Sequence, residues 1–292
     1  MRILSRERGG ALLIVAFFLI AAITALLVVA RGLSSGDLTS LEREPGVVTM
    51  LLLGTDRNYA RSGAVAERYA RTDTVILACL NTSQQKAYLF SIPRDTIVEI
   101  PGHGSGLVNA AHVYGGPALA VETVENLLQV NIPYWMVVDF EGFQKLIDAL
   151  GGVEINVEKD LRYYDRAGDF SVDLKAGKQV LDGEEALQYA RFRNDALGDI
   201  GRVRRQQKLL AAIAQKAMSI QSINRWPALY RVTDQTVQTN FTKLEMVKIG
   251  SYLKKVGIEK IETRTLPGNF SGSHWRVDDR AAQELVDAAV TP

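Results

Sequence analysis

The chain has 292 residues, of which 47% are hydrophobic and 23% are charged, and its net charge is +1. This is the composition of an ordinary globular protein. Proteins that bind nucleic acid without sequence preference usually carry a large positive net charge, so the near-neutral charge speaks against that class. A single cysteine, Cys79, excludes an intrachain disulfide, and with three histidines a zinc site is not expected. Because Cys79 lies in the apolar run TVILACL, we predict that it belongs to the core.

An uncharged, strongly apolar stretch runs from Gly9 to Ala30. At about 1.5 Å per residue, a helix of this length spans the roughly 30 Å hydrocarbon layer of a bilayer. Positive charges precede it at Arg2, Arg6 and Arg8. The positive-inside rule therefore predicts a cytoplasmic N-terminus over 1–8, a transmembrane anchor over 9–31 and an extracytoplasmic remainder. The alternative is a cleaved signal peptide, which the sequence LLVVARGLSSG favours less because it fits an A-x-A-like cleavage site poorly.

The rest of the chain is predicted to form a short linker and one domain. Residues 32–45 are polar, and hydrophobic patterns then continue without a second long linker, which indicates a single domain over 46–292. Strands are predicted, in chain order, at 47–56, 72–80, 86–95, 134–140 and 153–157. Helices are predicted at 117–130, at 141–150, after the capping box of Asp182 and Glu185, at 202–222, at 242–256 and after Asp278.

Strands and helices alternate along the chain, and the apolar strands need cover on both faces. The predicted class is therefore α/β: a three-layer α-β-α sandwich with a central mixed sheet, preceded by one N-terminal transmembrane helix. The turn NTSQQ is too short for a parallel crossover, so the strands at 72–80 and 86–95 are expected to be antiparallel. The sequence GHGSG, residues 102–106, is predicted to be a flexible loop.

Charged residues cluster where the predicted strands begin or end. Asp56 lies at the end of the first strand, Arg71 and Asp73 lie at the start of the second, and Arg94 and Asp95 lie at the end of the third. In open α/β sheets, strand ends are where ligands bind. Mg²⁺ takes few protein ligands, and two carboxylates beside a pyrophosphate suit it. The candidate Mg²⁺ ligands are Asp56 and Asp73.

The stretch YARFRNDALGDIGRVRRQQ, residues 189–207, concentrates arginines in a chain of almost neutral net charge. Asp199 is a candidate N-cap for the helix predicted from 202, which places Arg202 and Gln206 on one face of its first turns. A helix N-terminus attracts phosphate, and guanidinium groups form paired hydrogen bonds with phosphate oxygens. The candidate anion-binding residues are Arg71, Arg94, Arg191, Arg193, Arg202 and Gln206.

Plainer interpretations of these residues stay open. The pairs Arg71–Asp73, Arg94–Asp95 and Arg202–Asp199 would also be surface salt bridges that contribute little. Arg204 and Arg205 are expected to be solvated, and the lone histidines, His103, His112 and His274, to be structural or solvated. Apolar residues of the helix predicted from 202, such as Leu209 and Ile213, belong to the core by default or, alternatively, line a tunnel for a lipid tail.

Several stretches together resemble the LytR-CpsA-Psr family of bacterial cell-wall glycopolymer ligases. They are LLLGTD, RTDT, FSIPRDT, VNAAHVYGGP, DALGGVEINV, LDGEEALQYARFR and DIGRVRRQQ, all within residues 47–218. The resemblance implies a phosphotransferase that takes a glycopolymer from a polyprenyl-pyrophosphate carrier and joins it to peptidoglycan through a phosphodiester. The polymer would be teichoic acid, capsule or another glycan. The enzyme would be a single-pass protein of the cell membrane with its catalytic domain on the outer side.

The resemblance also implies roles for residues in the matching motifs. Five arginines would hold the pyrophosphate: Arg71, Arg94, Arg191, Arg193 and Arg202. Asp199 and Gln206 would complete the polar site. Asp56 and Asp73 would bind Mg²⁺, with Mn²⁺ as the alternative. The residues implied to be catalytic are Asp73, Arg94, Asp199 and Arg202, and either aspartate would assist deprotonation of the attacking sugar hydroxyl. The competing functions are a polyprenyl-pyrophosphate hydrolase and a non-catalytic, membrane-anchored regulator or lipid binder, in each case without nucleic acid as a partner.

Overall fold

The structure is a computed structural model of the chain. It describes residues 38–42, 46–55, 70–165, 170–192, 205, 208–209, 212–213, 215–216, 231–232, 236–257 and 260–292. Five of the candidate site residues lie outside the described residues: Asp56, Arg193, Asp199, Arg202 and Gln206. The predicted anchor at 9–31 lies outside them as well. Within the described ranges, no helix combines the length and the apolar character needed to cross a membrane.

A mixed sheet of six strands forms the centre of the fold. Its strands are β1 (Val47–Thr55), β2 (Thr72–Asn81), β3 (Lys86–Ile92), β6 (Tyr134–Asp139), β11 (Val237–Thr239) and β12 (Ile261–Thr265), in the spatial order β11-β6-β1-β2-β3-β12. Strand β1 is antiparallel to β2 and parallel to β6. Strand β3 is antiparallel to β2, as the short turn between them predicts, and parallel to β12. The predicted mixed character of the sheet is therefore confirmed.

Helices cover both faces of this sheet. On one face lie α1 (Val108–Leu128) and α5 (Asp279–Val290), and on the other lie α2 (Phe140–Leu150), α3 (Gly183–Arg191) and α4 (Lys243–Val256). Strand β2 is buried on both sides: Ile76, Ala78 and Leu80 join one core, and Val75, Leu77 and Cys79 join the other. Alternating side chains of β2 thus pack into two different cores, which is why its sequence is a continuous apolar run.

Four two-stranded ribbons surround the central sheet. They pair β4 (Ile97–Ile100) with β5 (Gly104–Leu107), β7 (Val153–Val157) with β10 (Gly177–Leu181), β8 (Leu161–Asp165) with β9 (Phe170–Leu174), and β13 (Gly268–Ser271) with β14 (His274–Val277). The prediction of a flexible loop at 102–106 is wrong for its second half. There the backbone pairs with β4, and Ser105 lies opposite Glu99. Pairing uses backbone donors and acceptors, which a glycine-rich stretch has like any other.

Three differences from the predictions concern what packs where. Helix α1 consists of two helical runs that meet across a kink at Gly115 and Gly116: the second starts directly after these glycines, as the predicted start at residue 117 indicates, and the first, from Val108, was not predicted. Strand β3 ends at Ile92, since Pro93 has no N–H to continue a ladder. Leu38 and Leu41, within the predicted linker, are buried in the core, so this part of the stretch packs against the domain.

Helix ends follow the predicted signals. The Asp182 side chain accepts a hydrogen bond from the backbone N–H of Glu185, and the Glu185 side chain accepts one from the backbone N–H of Asp182. Asp278 caps α5 in the predicted way, by accepting from the N–H of Ala281. Gly151 ends α2 in the left-handed conformation that glycine adopts without steric cost. These local rules depend on a few neighbouring residues, which explains why the sequence predicts them well.

Gly183, the first residue of α3, lets helices α2 and α3 approach closely. A Cβ atom there would lie 2.2 Å from the backbone oxygen of Gln144, which cannot move aside as a flexible side chain could. The N–H of Gly183 also donates to the Asp148 carboxylate at 2.8 Å. The contact between the two helices therefore requires glycine at this position.

We expect Gly183→Ala to lower the free energy of unfolding by about 1–3 kcal/mol, the usual cost of overpacking, despite the higher helix propensity of alanine. Urea denaturation followed by circular dichroism measures this. The matched control is Glu184→Ala, an exposed position in the same helical turn, which should change stability by less than about 0.5 kcal/mol. Equal urea midpoints for Gly183→Ala and the wild type would contradict the prediction.

Candidate functional site

The register of the central sheet brings several strand ends to one end of the molecule. Thr55, the last residue of β1, lies opposite Thr72 at the start of β2 and opposite Asp139 at the end of β6. Ile92, the last residue of β3, lies opposite Val75 of β2. The segments that carry the predicted polar residues therefore leave the sheet at the same end.

Arg94 and Asp73 meet at this end of the sheet. An Nη of Arg94 donates a hydrogen bond to Asp73 Oδ1, and the Arg94 Nε lies 3.8 Å from Asp95 Oδ2. The side chains of Arg94 and Asp73 are 20% and 21% exposed, so the pair is held within the protein and still reaches solvent. The salt-bridge alternative considered Arg94 with Asp95, its sequence neighbour. In the structure, Arg94 also has a hydrogen-bonded partner that is distant in sequence, Asp73 of β2.

The turn that carries Arg94 is fixed on several sides. The N–H of Thr96 donates to the oxygen of Pro93 at 2.9 Å, closing a tight turn, and the Thr96 hydroxyl donates to the same oxygen at 2.5 Å. The first residues of α1 donate back to the turn, with Val108 N–H to Thr96 O at 2.9 Å. From the other side, the N–H of Trp275 in β14 donates to Asp95 O at 3.0 Å. Arg94 is therefore presented by a rigid backbone, which is what binding or catalysis demands.

Arg71 precedes β2 at the same end, and its side chain is exposed. The chain just before it is tied to α1, because the Nδ1 of His112 lies 2.7 Å from the oxygen of Ala70. His112 itself is buried, and burial lowers its pKa while the hydrogen bond to Ala70 opposes that shift. The structure thus places His112 as a support for the strand that leads to Arg71 and Asp73.

Arg191 reaches the same end of the sheet from the helices on the other face. It is the last residue of α3, and its guanidinium carbon lies 5.1 Å from the centre of the Phe140 ring. Phe140 directly follows Asp139, the residue opposite Thr55. Asp139 caps α2 by accepting from the N–H of Gly142 at 2.6 Å. The structure therefore brings Arg94 and Asp73 into contact and places Arg71 and Arg191 at the same end of the sheet.

Arg205 is the residue that the sequence interpretation missed. Its side chain is 4% exposed and forms an ion pair with Glu158, so the prediction that it is solvated is wrong. The physical reason is its position four residues before Leu209 and eight before Ile213, both fully buried helical residues. That i, i+4, i+8 spacing places Arg205 on the buried face of the helix, and the pattern is visible in the sequence. Arg204 lies outside the described residues.

The donor set for a metal is only partly described. Among the described residues, no group of three or more histidine, cysteine, aspartate or glutamate side chains is arranged to hold a metal ion. Mg²⁺ commonly takes one or two protein carboxylates together with phosphate oxygens and water. The partly exposed carboxylate of Asp73 is compatible with that mode of binding, whereas Asp56 lies outside the described residues.

Comparison with known proteins identifies the family. Residues 33–289 match the LytR_cpsA_psr family. The chain belongs to this family. It is 35% identical over 248 residues to the polyisoprenyl-teichoic acid–peptidoglycan teichoic acid transferase TagU of Enterococcus faecalis, covering 81% of this chain and 78% of the relative. It is also 33% identical over 245 residues to the regulatory protein MsrR of Staphylococcus aureus, covering 82% of this chain and 71% of that protein.

Solved structures of family members share the fold. Bacillus subtilis TagV superposes with a TM-score of 0.63 at 27% identity, covering 85% of this chain and all of that chain. TagT bound to LI-WTA also gives a TM-score of 0.63 at 27% identity, covering 88% of this chain and 94% of that chain. The central mixed sheet of this LytR-CpsA-Psr protein is therefore the one that its family uses.

Proposed function

We propose that this protein is a phosphotransferase that moves a glycopolymer from a polyprenyl-pyrophosphate carrier to peptidoglycan through a phosphodiester. Family membership supports this proposal, together with the name of the TagU relative, which describes transfer of teichoic acid to peptidoglycan. The observation that carries it is the Arg94–Asp73 pair, held at the end of the sheet where Arg71 and Arg191 also lie. A glycopolymer such as teichoic acid is the proposed cargo.

The proposed reaction exchanges one phosphorus–oxygen bond for another. A sugar hydroxyl of peptidoglycan attacks the phosphorus nearer the glycopolymer, and the bridging bond to the second phosphorus breaks. The products are the phosphodiester and polyprenyl phosphate, and the hydroxyl proton passes to a base. Such transfers depend mainly on positioning and on neutralising charge, which preorganised guanidinium groups supply. Arg94 is proposed to contact the transferring phosphate, because its rigid turn and its Asp73 partner fix its side chain.

The other proposed roles follow the family motifs. Pyrophosphate binding is assigned to Arg71, Arg94, Arg191, Arg193, Arg202 and Gln206. Asp56 and Asp73 would hold Mg²⁺ or Mn²⁺, which when bound would supply charge neutralisation at the phosphates. Catalytic roles are assigned to Asp73, Arg94, Asp199 and Arg202, and Asp73 or Asp199 would accept the hydroxyl proton. Asp73 is the one of these carboxylates that lies among the described residues, where it is partly exposed and paired with Arg94.

The proposed location is the outer side of the cell membrane, with 9–31 as a single-pass anchor and residues 1–8 in the cytoplasm. Its support is the uncharged apolar stretch from Gly9 to Ala30, preceded by positive charges. A carrier lipid embedded in the same membrane would then lie within reach of the domain. A phosphatase or fluorescent reporter fused after Pro292 tests this topology directly.

Product analysis tests the proposed reaction. The full chain would be incubated with a radiolabelled disaccharide on a short polyprenyl pyrophosphate, in Mg²⁺, with and without purified peptidoglycan sacculi. We expect label to become covalently attached to the sacculi, with polyprenyl phosphate released in equal amount. Release of polyprenyl phosphate without sacculi would indicate the hydrolase instead. Neither product, with tight binding of the lipid, would favour a non-catalytic binder, in keeping with the regulatory name of MsrR.

A further inference from the structure

The hairpin of β13 and β14 lies next to the turn that carries Arg94. It follows β12, whose last residue pairs with Ser91 of β3, so the hairpin leaves the sheet at the same end as that turn. The N–H of Trp275 in β14 donates to the oxygen of Asp95 at 3.0 Å, and Trp275 also forms a parallel bridge with Thr96. The backbone of the hairpin is therefore tied to the segment that presents Arg94.

One face of the hairpin is an apolar stripe. Phe270 lies opposite Trp275, and Gly268 lies opposite Val277, so these four residues share a face. At one end of the stripe Val277 packs against the core, and at the other end Phe270 is 54% exposed. The Phe270 and Trp275 rings meet in a T-shaped arrangement with their centres 4.9 Å apart. The stripe thus runs from the core to solvent and ends in an exposed aromatic ring.

Packing holds the Trp275 ring that Phe270 contacts. A Cβ atom at Gly268 would lie 2.7 Å from the indole Nε1 and 2.3 Å from the backbone oxygen of Arg276, so glycine at this position makes room for the indole. The indole N–H is buried, and no residue in the described part of the chain accepts a hydrogen bond from it. The two rings are therefore fixed by packing, and a ring that is already fixed binds a ligand at a low cost in entropy.

The place of the hairpin along the end of the sheet indicates which substrate it would meet. Arg191 lies near the end of β6, Arg94 follows β3, and the hairpin follows the edge strand β12. Arg94 therefore lies between Arg191 and the hairpin. In phosphoryl transfer the attacking and leaving oxygens lie roughly in line, on opposite sides of the phosphorus. With the leaving phosphate on the side of Arg191, the attacking sugar hydroxyl comes from the side of the hairpin.

We propose that the β13–β14 hairpin is the acceptor-binding surface of this protein, and that Phe270 stacks on a sugar ring of the peptidoglycan glycan strand. This inference rests on the proposed function for the identity of the acceptor. The faces of sugar rings carry C–H groups, and an exposed aromatic ring binds such an apolar face while water is excluded. Two strand spacings, about 10 Å, separate β13 from the Arg94 turn, so the stacked sugar lies close to the sugar that attacks.

The first experiment measures glycan binding without catalysis. The probe is a peptide-free glycan strand, released from sacculi with an amidase and titrated into the full chain by isothermal titration calorimetry. We expect Phe270→Ala to weaken binding by about tenfold and Phe270→Trp to keep the wild-type affinity, because stacking requires a flat ring. Equal affinities of Phe270→Ala and the wild type would overturn the proposal, and so would absence of glycan binding by the wild type.

The matched control is Leu244→Ala. Leu244 is 56% exposed in the first turn of α4, and the chain just before it is bonded to the start of β6, because Asn240 Oδ1 accepts from the N–H of Trp135. It therefore lies at the opposite end of the sheet, and its loss should leave glycan affinity unchanged. Melting temperatures within about 3 °C of the wild type for both alanine variants would show that each is folded.

The second experiment separates the acceptor from the donor in single-turnover transfer. We expect Phe270→Ala to raise the glycan-strand concentration that gives the half-maximal rate by about tenfold, and to leave that of the lipid pyrophosphate unchanged. A rise for the lipid pyrophosphate instead would make the hairpin a donor surface and overturn the proposal. Wild-type transfer that is unaffected by Phe270→Ala would overturn this inference and keep the proposed function. Glycan binding that depends on Phe270, without any transfer by the wild type, would overturn the proposed function and keep the binding surface.

Discussion

Replacing Arg94 with lysine is expected to lower kcat/KM for glycopolymer transfer by about 10²–10³-fold, the usual effect of losing one preorganised donor to developing charge. Lysine keeps the positive charge and loses the planar fork. In the structure that fork donates to Asp73 and approaches Asp95, while the turn of Pro93 and Thr96 fixes the backbone beneath it. A single ammonium group cannot keep this geometry and also bind a phosphate. Single-turnover transfer to sacculi from a labelled lipid pyrophosphate measures the loss.

The control for this variant is Arg280→Lys, a surface arginine on α5 whose side chain is 90% exposed. It should transfer at the wild-type rate, because its pair with Glu284 is solvated and lies within one helix. Both variants should unfold within about 0.5–1 kcal/mol of the wild type, which separates loss of chemistry from loss of folding. If Arg94→Lys kept kcat/KM within about twofold of the wild type, Arg94 would have no place in the transferring step.

The sequence predicts those parts of the fold that neighbouring residues decide. The continuous apolar runs of β1 and β2 and the capping box of Asp182 and Glu185 each depend on a short stretch, and the structure confirms them. The first run of α1 is the instructive failure. Gly115 and Gly116 interrupt the helical backbone, and the predicted helix starts directly after them, but the run from Val108 that precedes them was not predicted. Its helix depends on packing against the same core as the second run, which is a tertiary property that local propensity does not show.

Part of the candidate site depends on register, which is a non-local property. Asp73 lies in β2 and Arg94 lies in the turn after β3, and the pairing of Val75 with Ile92 brings the two segments together. The sequence placed both residues at strand ends and suggested sequence neighbours as their salt-bridge partners. The prediction that Arg205 is solvated was wrong for a related reason. Its charge suggested the surface, whereas its spacing from Leu209 and Ile213 placed it inside, and burial of a charge becomes acceptable only with partners such as Glu158.

Asp73→Asn is expected to reduce single-turnover transfer by about 10²–10³-fold, because asparagine keeps the shape of the side chain and removes the charge that either Arg94 or a metal ion requires. The control is Asp173→Asn on β9, whose exposed carboxylate pairs with Arg162 at 3.3 Å and should be dispensable. Two further measurements separate the roles of Asp73, and both use the purified full chain.

The first is a double-mutant cycle with Arg94→Lys. If Asp73 acts only by holding Arg94, the double variant should be about as slow as Arg94→Lys alone, since the two residues then work as one unit. The second is the Mg²⁺ concentration that gives the half-maximal rate, which Asp73→Asn should raise about tenfold or more if the carboxylate also binds the metal. A non-additive cycle with an unchanged Mg²⁺ requirement would remove Asp73 from the metal site and leave it as the partner that orients Arg94. Near wild-type transfer by Asp73→Asn would contradict both roles, because the ion pair at the end of the sheet would then have no part in the reaction.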